Sequence, residues 1–286
     1  MYSKSVERAN PGCILFLVDQ SYSMTDPFAG APRSKVEAVA TAINRFISEL
    51  IITCEKGEDK PRHYFDVGVI GYTTNQKGEP IIGSLLQGPA LAGRDLVSVV
   101  DLYDNPLDVE IRQKDDGTGG LVEVRFPIWY RVPPPETMLG TPMCAVLQHC
   151  YSVAAGWCAF HPASFPPVVI HLTDGESNDG DPEAAAASLR SLSTQDGNLL
   201  LFNCHLSSSL ADGVLFPAAE QQLPDDYARL LFRMSSPLPD KLRGNAEAKS
   251  IPAAAGARGM AFNADGVKML LLISVGTMIA TPANLR

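Results

Sequence analysis

No stretch of the 286-residue chain holds the roughly 20 consecutive apolar residues that a bilayer-spanning helix needs, and the long greasy run near the end, Met269 to Ile279, is far shorter. Met1 to Pro11 is polar and charged, and the apolar run that follows, Cys13 to Val18, is too short for a secretory signal. The expectation is a cytoplasmic protein with no membrane span. Basic residues are scarce: 23 Lys plus Arg stand against 32 Asp plus Glu, a formal net charge of -9. A nucleic-acid partner is excluded on that ground, because no basic excess exists to displace counterions from phosphates. CxxC pairs are missing, so the six cysteines (Cys13, Cys54, Cys144, Cys150, Cys158, Cys204) read as reduced and mostly buried thiols. No GxGxxG or GxxxxGK[ST] follows an apolar run, and no Gly-x-Ser-x-Gly elbow occurs, which removes the common nucleotide and hydrolase signatures. Internal repeats and low-complexity tracts are also absent.

What is present is an alternation of buried strands and amphipathic helices. Gly12 to Asp19 is a continuous apolar run ending in an acid, the pattern of a parallel strand covered on both faces. Val36, Val39, Ala40, Ile43, Phe46, Ile47 and Leu50 then recur at helical spacing. Phe65 to Tyr72 reads as a second strand, and Ile81 to Leu86 as a third, reached through a polar turn containing Asn75 and Gly78. From Gly88 to Pro135 the pattern changes. Asp108-Val-Glu-Ile-Arg and Leu121-Val-Glu-Val-Arg-Phe alternate apolar and polar around a Gly-rich turn, which predicts an inserted β-hairpin at about Leu107 to Arg131. That hairpin is a candidate second contact surface or an edge cover. Pro142 to Ala155 predicts a helix with proline at its start, Pro167 to Thr173 a strand closing on Asp174, Pro182 to Ser193 a helix, and Asn198 to Leu206 another buried strand. Asp226 to Met234 reads as helix, Gly259 to Asn263 as a short edge strand, and Val267 onward as a closing helix. The fold class expected is α/β: one doubly wound domain over 1–286, its mostly parallel sheet flanked by helices, with an insertion at 88–135.

In open α/β sheets, ligands bind beyond the carboxyl ends of the strands where the winding reverses. Asp19 and Asp174 stand at two such ends. Asp19-Gln-Ser21-Tyr-Ser23 places three oxygen-bearing side chains at alternate positions of one short turn. Carboxylate and hydroxyl oxygens suit Mg²⁺ or Mn²⁺, with Ca²⁺ the poorer match, and Mg²⁺ keeps waters while using few protein carboxylates.

Asp19-x-Ser21-x-Ser23 after an apolar strand, Gly140-Thr141-Pro142 before a helix, and Thr173-Asp174-Gly175 at the end of a later strand together resemble the metal-ion-dependent adhesion site of von Willebrand factor A domains. The three parts occur in family order, and the family's doubly wound fold would cover nearly the whole chain. The resemblance implies that Asp19 holds the metal network, that Ser21 and Ser23 ligate directly, that Thr141 ligates directly or through water, and that Asp174 acts mainly through water. A cation with so little negative charge around it attracts an external carboxylate. The implied function is a non-enzymatic, metal-dependent interaction module that binds an Asp or Glu of a partner protein. The stand-alone bacterial members that the chain resembles include the tellurite-resistance and stress-response type, with a kinase and phosphatase pair as partners, and others that work with MoxR-type ATPases.

Other readings are weaker. A metal-dependent hydrolase or phosphatase using the same residues needs a positioned base and acid beside the ion, whereas hydroxyls dominate there. A haloacid-dehalogenase-type phosphotransferase needs an acid two residues after Asp19, where Ser21 stands. Asp174 to Ala185 departs from a calcium loop at its last position. Cys144, Cys150, Cys158 and His161 lack zinc spacings, and His171, on an apolar strand, reads as a satisfied core histidine. Ser21, Ser23 and the two aspartates as mere turn and helix caps would leave Thr141 without a role. Tyr22 and Glu176 flank the site, either as partner contacts or as ordinary loop surface.

Overall fold

A computed structural model describes residues 1–115, 120–208, 213–248 and 250–279. In chain order the elements are β1 (Gly12–Asp19), α1 (Lys35–Glu55), β2 (Phe65–Thr74), β3 (Pro80–Ser84), β4 (Val97–Ser98), α2 (Val99–Asp104), β5 (Asp108–Asp115), β6 (Leu121–Ile128), α3 (Met143–Phe160), β7 (Val168–Thr173), α4 (Glu183–Ser191), β8 (Ser193–Thr194), β9 (Gly197–Asn198), β10 (Leu200–Leu206), β11 (Val214–Leu215), α5 (Asp226–Met234), α6 (Asp240–Ala248), β12 (Met260–Ala264) and α7 (Gly266–Gly276).

The main sheet runs β11-β12-β10-β7-β1-β2-β3, with β4 beside β2. Its centre is parallel: β1 pairs with β2 from Gly12 opposite Phe65 to Asp19 opposite Tyr72, and with β7 on its other side. The antiparallel pairs lie toward the edges, where β3 and β4 meet β2 and β11 meets β12. All eight residues of β1 are buried because both faces are covered. Ile14, Phe16 and Val18 pack with α1, α6 and α7, while Cys13, Leu15 and Leu17 pack with α3, α4 and α5. Helices on both faces of a mostly parallel sheet make this a doubly wound α/β fold. The chain leaves β1 toward β2 and β3, and later returns to lay β7 on the opposite flank. The winding therefore reverses between β1 and β7.

The hairpin expected in the insertion is there as β5 and β6, paired from Asp108 opposite Ile128 to Asp115 opposite Leu121. It is only part of that insertion, which also holds β4 and α2. The hairpin is rooted by Asn44 of α1, whose Oδ1 accepts from the amides of Trp129 (2.8 Å) and Tyr130 (3.1 Å) and whose Nδ2 donates to the Tyr130 carbonyl (2.8 Å). Further out the ribbon is open on both faces, with Ile111 61% and Val122 45% exposed.

One expectation is corrected. β12 is not an edge strand, because β11 adds outside it with Val214 opposite Phe262. A two-residue strand carries too little alternation to be read in advance, and α6 was not foreseen because only Leu242 and Ala246 mark a buried stripe on it. The run near the end is the buried helix α7, and among the described residues no helix is long and apolar enough to cross a membrane.

Candidate metal centre

Asp19 closes β1 with none of its surface exposed. Its Oδ1 accepts from the Ser21 amide at 2.8 Å and its Oδ2 from the Thr173 hydroxyl at 2.6 Å. The first bond folds the chain back sharply after the strand, and Tyr22–Thr25 continue as a single 3-10 turn. The second ties the end of β1 to the end of β7. Burial pushes the Asp19 carboxyl up to about 7, and the Asp174 charge adds to that, against the opposing hydrogen bonds from Thr173 and Ser21. A carboxylate so placed favours a cation beside it.

The turn brings Ser21 and Ser23 together, their hydroxyl oxygens 3.1 Å apart. Asp174, one residue beyond β7, completes the group: its Oδ1 accepts from Ser23 Oγ at 2.7 Å and lies 3.5 Å from Ser21 Oγ. Its Oδ2 is taken by a residue that the sequence reading did not single out. Lys35, the first residue of α1, places Nζ 2.5 Å from Asp174 Oδ2 and 3.2 Å from the Ser23 carbonyl. Both side chains of this ion pair are buried, 4% exposed for Lys35 and 1% for Asp174.

Thr141 arrives from the loop before α3. That loop is held from below by the end of β2, where Thr73 Oγ1 accepts from the Leu139 amide (2.9 Å) and Thr74 Oγ1 from the Gly140 amide (3.0 Å). From the side, the Tyr22 amide donates to the Leu139 carbonyl at 3.0 Å. Gly140 allows this closeness, since a Cβ there would stand 2.2 Å from Asn178 Nδ2 and 2.7 Å from Thr74 Oγ1. The segment after Asp174 is pinned as well. Asp179 caps α3 by accepting from the amides of Cys144 and Ala145, both at 2.9 Å, and the Tyr227 hydroxyl of α5 donates to the Gly175 carbonyl. Burial pushes the Asp179 carboxyl up, but those amides and the Ser177 hydroxyl outweigh it and hold the group below its usual value.

All five expected residues therefore meet at the carboxyl ends of β1 and β7, where the winding reverses. Two observations bear on whether they fit a cation. Ligands of an octahedral Mg²⁺ at 2.0–2.1 Å stand about 2.9 Å apart along each edge, close to the 3.1 Å between the two serine hydroxyls and the 2.7 Å between Ser23 and Asp174. Thr141 is only 6% exposed overall, and its hydroxyl, which takes part in no hydrogen bond among the described residues, is open to the surface. It borders the same space: a Cβ on Gly175 would lie 3.5 Å from Thr141 Oγ1 and 4.0 Å from Ser23 Oγ, so the glycine leaves that space open. The residues fit a hard, oxygen-bound cation.

The other candidate clusters do not assemble. Among the described residues no group of three or more His, Cys, Asp or Glu is arranged to hold a metal, and the six cysteines are free, five of them buried. The candidate centre is of a different kind, two carboxylates with three hydroxyls. His171 is a core histidine: its Nε2 meets the Tyr72 hydroxyl at 2.6 Å and its Nδ1 meets Asn203 Oδ1 at 2.9 Å. Burial pushes it down to about 4, against the Asn203 hydrogen bond. Tyr22 is 65% exposed beside the site.

No family model matches the chain, and no curated protein matches it. Among solved structures it is similar to the pilus adhesin SpaC of Lactobacillus rhamnosus GG, with 11% sequence identity and a TM-score of 0.49. The match covers 97% of this chain and 31% of the adhesin, so the chain spans under a third of that protein's length. A likeness of this size carries nothing about the site.

Proposed function

We propose that this chain is a metal-dependent interaction module. Ser21, Ser23 and Thr141 would hold Mg²⁺ or Mn²⁺ by their hydroxyls, Asp19 and Asp174 would supply its negative charge, and an Asp or Glu of a partner protein would be the ligand from outside. The observation that carries this reading is the convergence of the Ser21, Ser23 and Thr141 hydroxyls with Asp174 around the space that Gly175 leaves open. When bound, the cation supplies a positive centre that recognises a carboxylate. The chain's own residues set the geometry: Asp19 orients the Ser21 amide, Thr73 and Thr74 hold the Thr141 loop, and Tyr227 fixes Gly175. The binding reading is favoured over hydrolysis because the histidine near Asp174, His205, uses Nδ1 to accept from the Asn263 amide at 3.2 Å and stacks on Phe262. It is not poised as a base.

Isothermal titration of the full chain with Mg²⁺ and with Mn²⁺ tests the proposal. Binding at millimolar concentration or below is expected, accompanied by a rise in melting temperature, and Asp19→Ala should abolish both while keeping a cooperative melt. Absence of metal binding to the wild type at millimolar concentration would sink the reading.

A further inference from the structure

Lys35 has no part in the expected ligand set, yet it occupies the interior of that site. A lysine at the first position of a helix opposes the helix dipole, so its place there does nothing for α1. The helix start is secured separately by a capping box in which the Ser34 hydroxyl accepts from the Glu37 amide and the Glu37 carboxylate accepts from the Ser34 amide. Buried ion pairs are also poor devices for stability, because desolvation consumes what the attraction supplies. The Lys35–Asp174 pair therefore calls for a reason outside folding.

Formal charge provides one. In the loaded centre Asp19 and Asp174 would carry two negative charges, and with a divalent cation alone the centre would be neutral, with little appetite for a further anion. The Lys35 ammonium, 2.5 Å from Asp174, cancels one of those charges from inside. The loaded centre is then left with one positive charge in excess, which a single external carboxylate neutralises. Asp26 lies 3.8 Å from Lys35 Nζ, but its side chain is 52% exposed and screened by solvent. Burial lowers the pKa of His205, which disfavours a second positive charge there. Lys35 has little freedom to withdraw, being 4% exposed and bonded to the Ser23 carbonyl as well.

We infer that Lys35 couples the two binding events: it weakens the hold of the centre on the cation alone and makes cation and external carboxylate each strengthen the binding of the other. This rests on the metal reading above. Coupling of this kind is reciprocal, so the carboxylate can be read through the metal.

The test titrates Mn²⁺ into the full chain in sodium chloride and in sodium acetate at equal ionic strength, with the free Mn²⁺ corrected for its weak acetate complex. For the wild type, acetate is expected to tighten Mn²⁺ by about fivefold or more. Lys35→Met, which keeps the length and removes the charge, should bind Mn²⁺ roughly tenfold tighter in chloride and lose most of the acetate effect, whereas Lys35→Arg should behave like the wild type. Mn²⁺ binding that is unchanged or weaker in Lys35→Met, with the acetate effect retained, overturns the inference. A wild type that binds Mn²⁺ without any acetate effect overturns it too, and needs no variant to fold. A wild type that binds no Mn²⁺ overturns the underlying metal reading instead.

Discussion

β1 and β7 are neighbours in the sheet, both are apolar along their length, and each delivers an aspartate at its carboxyl end; the surroundings of the two carboxylates nevertheless differ. Asp19 is buried with hydrogen bonds from an amide and a hydroxyl, and among the described residues no cationic side chain forms an ion pair with it. Asp174 is paired with a buried ammonium. A charge held by neutral donors weakens the metal-free fold and is relieved only by a cation from outside, whereas a charge held by an internal lysine is already satisfied. The two ends thus divide the work: one creates the demand for a metal, and the other limits it.

Breaking each end separately should give opposite results in the metal-free protein. Asp174→Asn leaves Lys35 buried without its partner and should lower stability by about 3 kcal/mol in chemical denaturation. Asp19→Asn removes a buried charge and should raise stability by roughly 1–3 kcal/mol at pH 8, measured the same way in chelator. A loss at both positions would show that the ends are equivalent.

The comparison sharpens with pH. The folded value for Asp19, about 7, lies above its ordinary 3.8, so its contribution is fully present below 3.8 and is lost as pH rises through 7. The folded value for His171, about 4, lies below its ordinary 6.5, so its contribution is present above 6.5 and is lost as pH falls through 4. Between about pH 4 and 6.5 the two slopes oppose, and the metal-free wild type should show little net change from these groups. Asp19→Asn should expose the His171 slope, with stability rising across that interval in a series of urea melts.

Smaller effects are expected away from the carboxylates. Thr74→Val removes the hydroxyl that accepts from Gly140 and should cost about 1 kcal/mol, with weaker Mn²⁺ binding as the Thr141 loop loosens. Ile111→Ser on the ribbon should change the melting midpoint by less than about 0.5 kcal/mol equivalent, because that side chain is 61% exposed.

Most of the central sheet was legible, because a strand buried on both faces must be apolar throughout and Gly12–Asp19 and Val168–Thr173 are. Asp19, Ser21 and Ser23 were legible as a local spacing, and Thr141 and Asp174 through their places before a helix and after a strand. Lys35 was missed because its partner is 139 residues away, although Ser34-Lys-Val-Glu37 contained the signal: a capping box with a cation at the wrong end of the helix dipole. Thr73, Thr74 and Tyr227 carried no such mark. Each acts on a backbone group of a distant loop, and backbone groups look alike in any sequence.

The ribbon of β5 and β6 has a mechanical consequence. Eight paired positions span about 25 Å, and three hydrogen bonds to Asn44 clamp the root. Tyr130 at that root also touches the metal face, since Gln20, next to Asp19, donates to its hydroxyl at 3.3 Å. A long ribbon turns a small tilt at its root into a larger displacement further along. A shift of Gln20 too small to see at the metal centre would be magnified at the far end of the described pairs, where a fluorophore on Leu121 would register it.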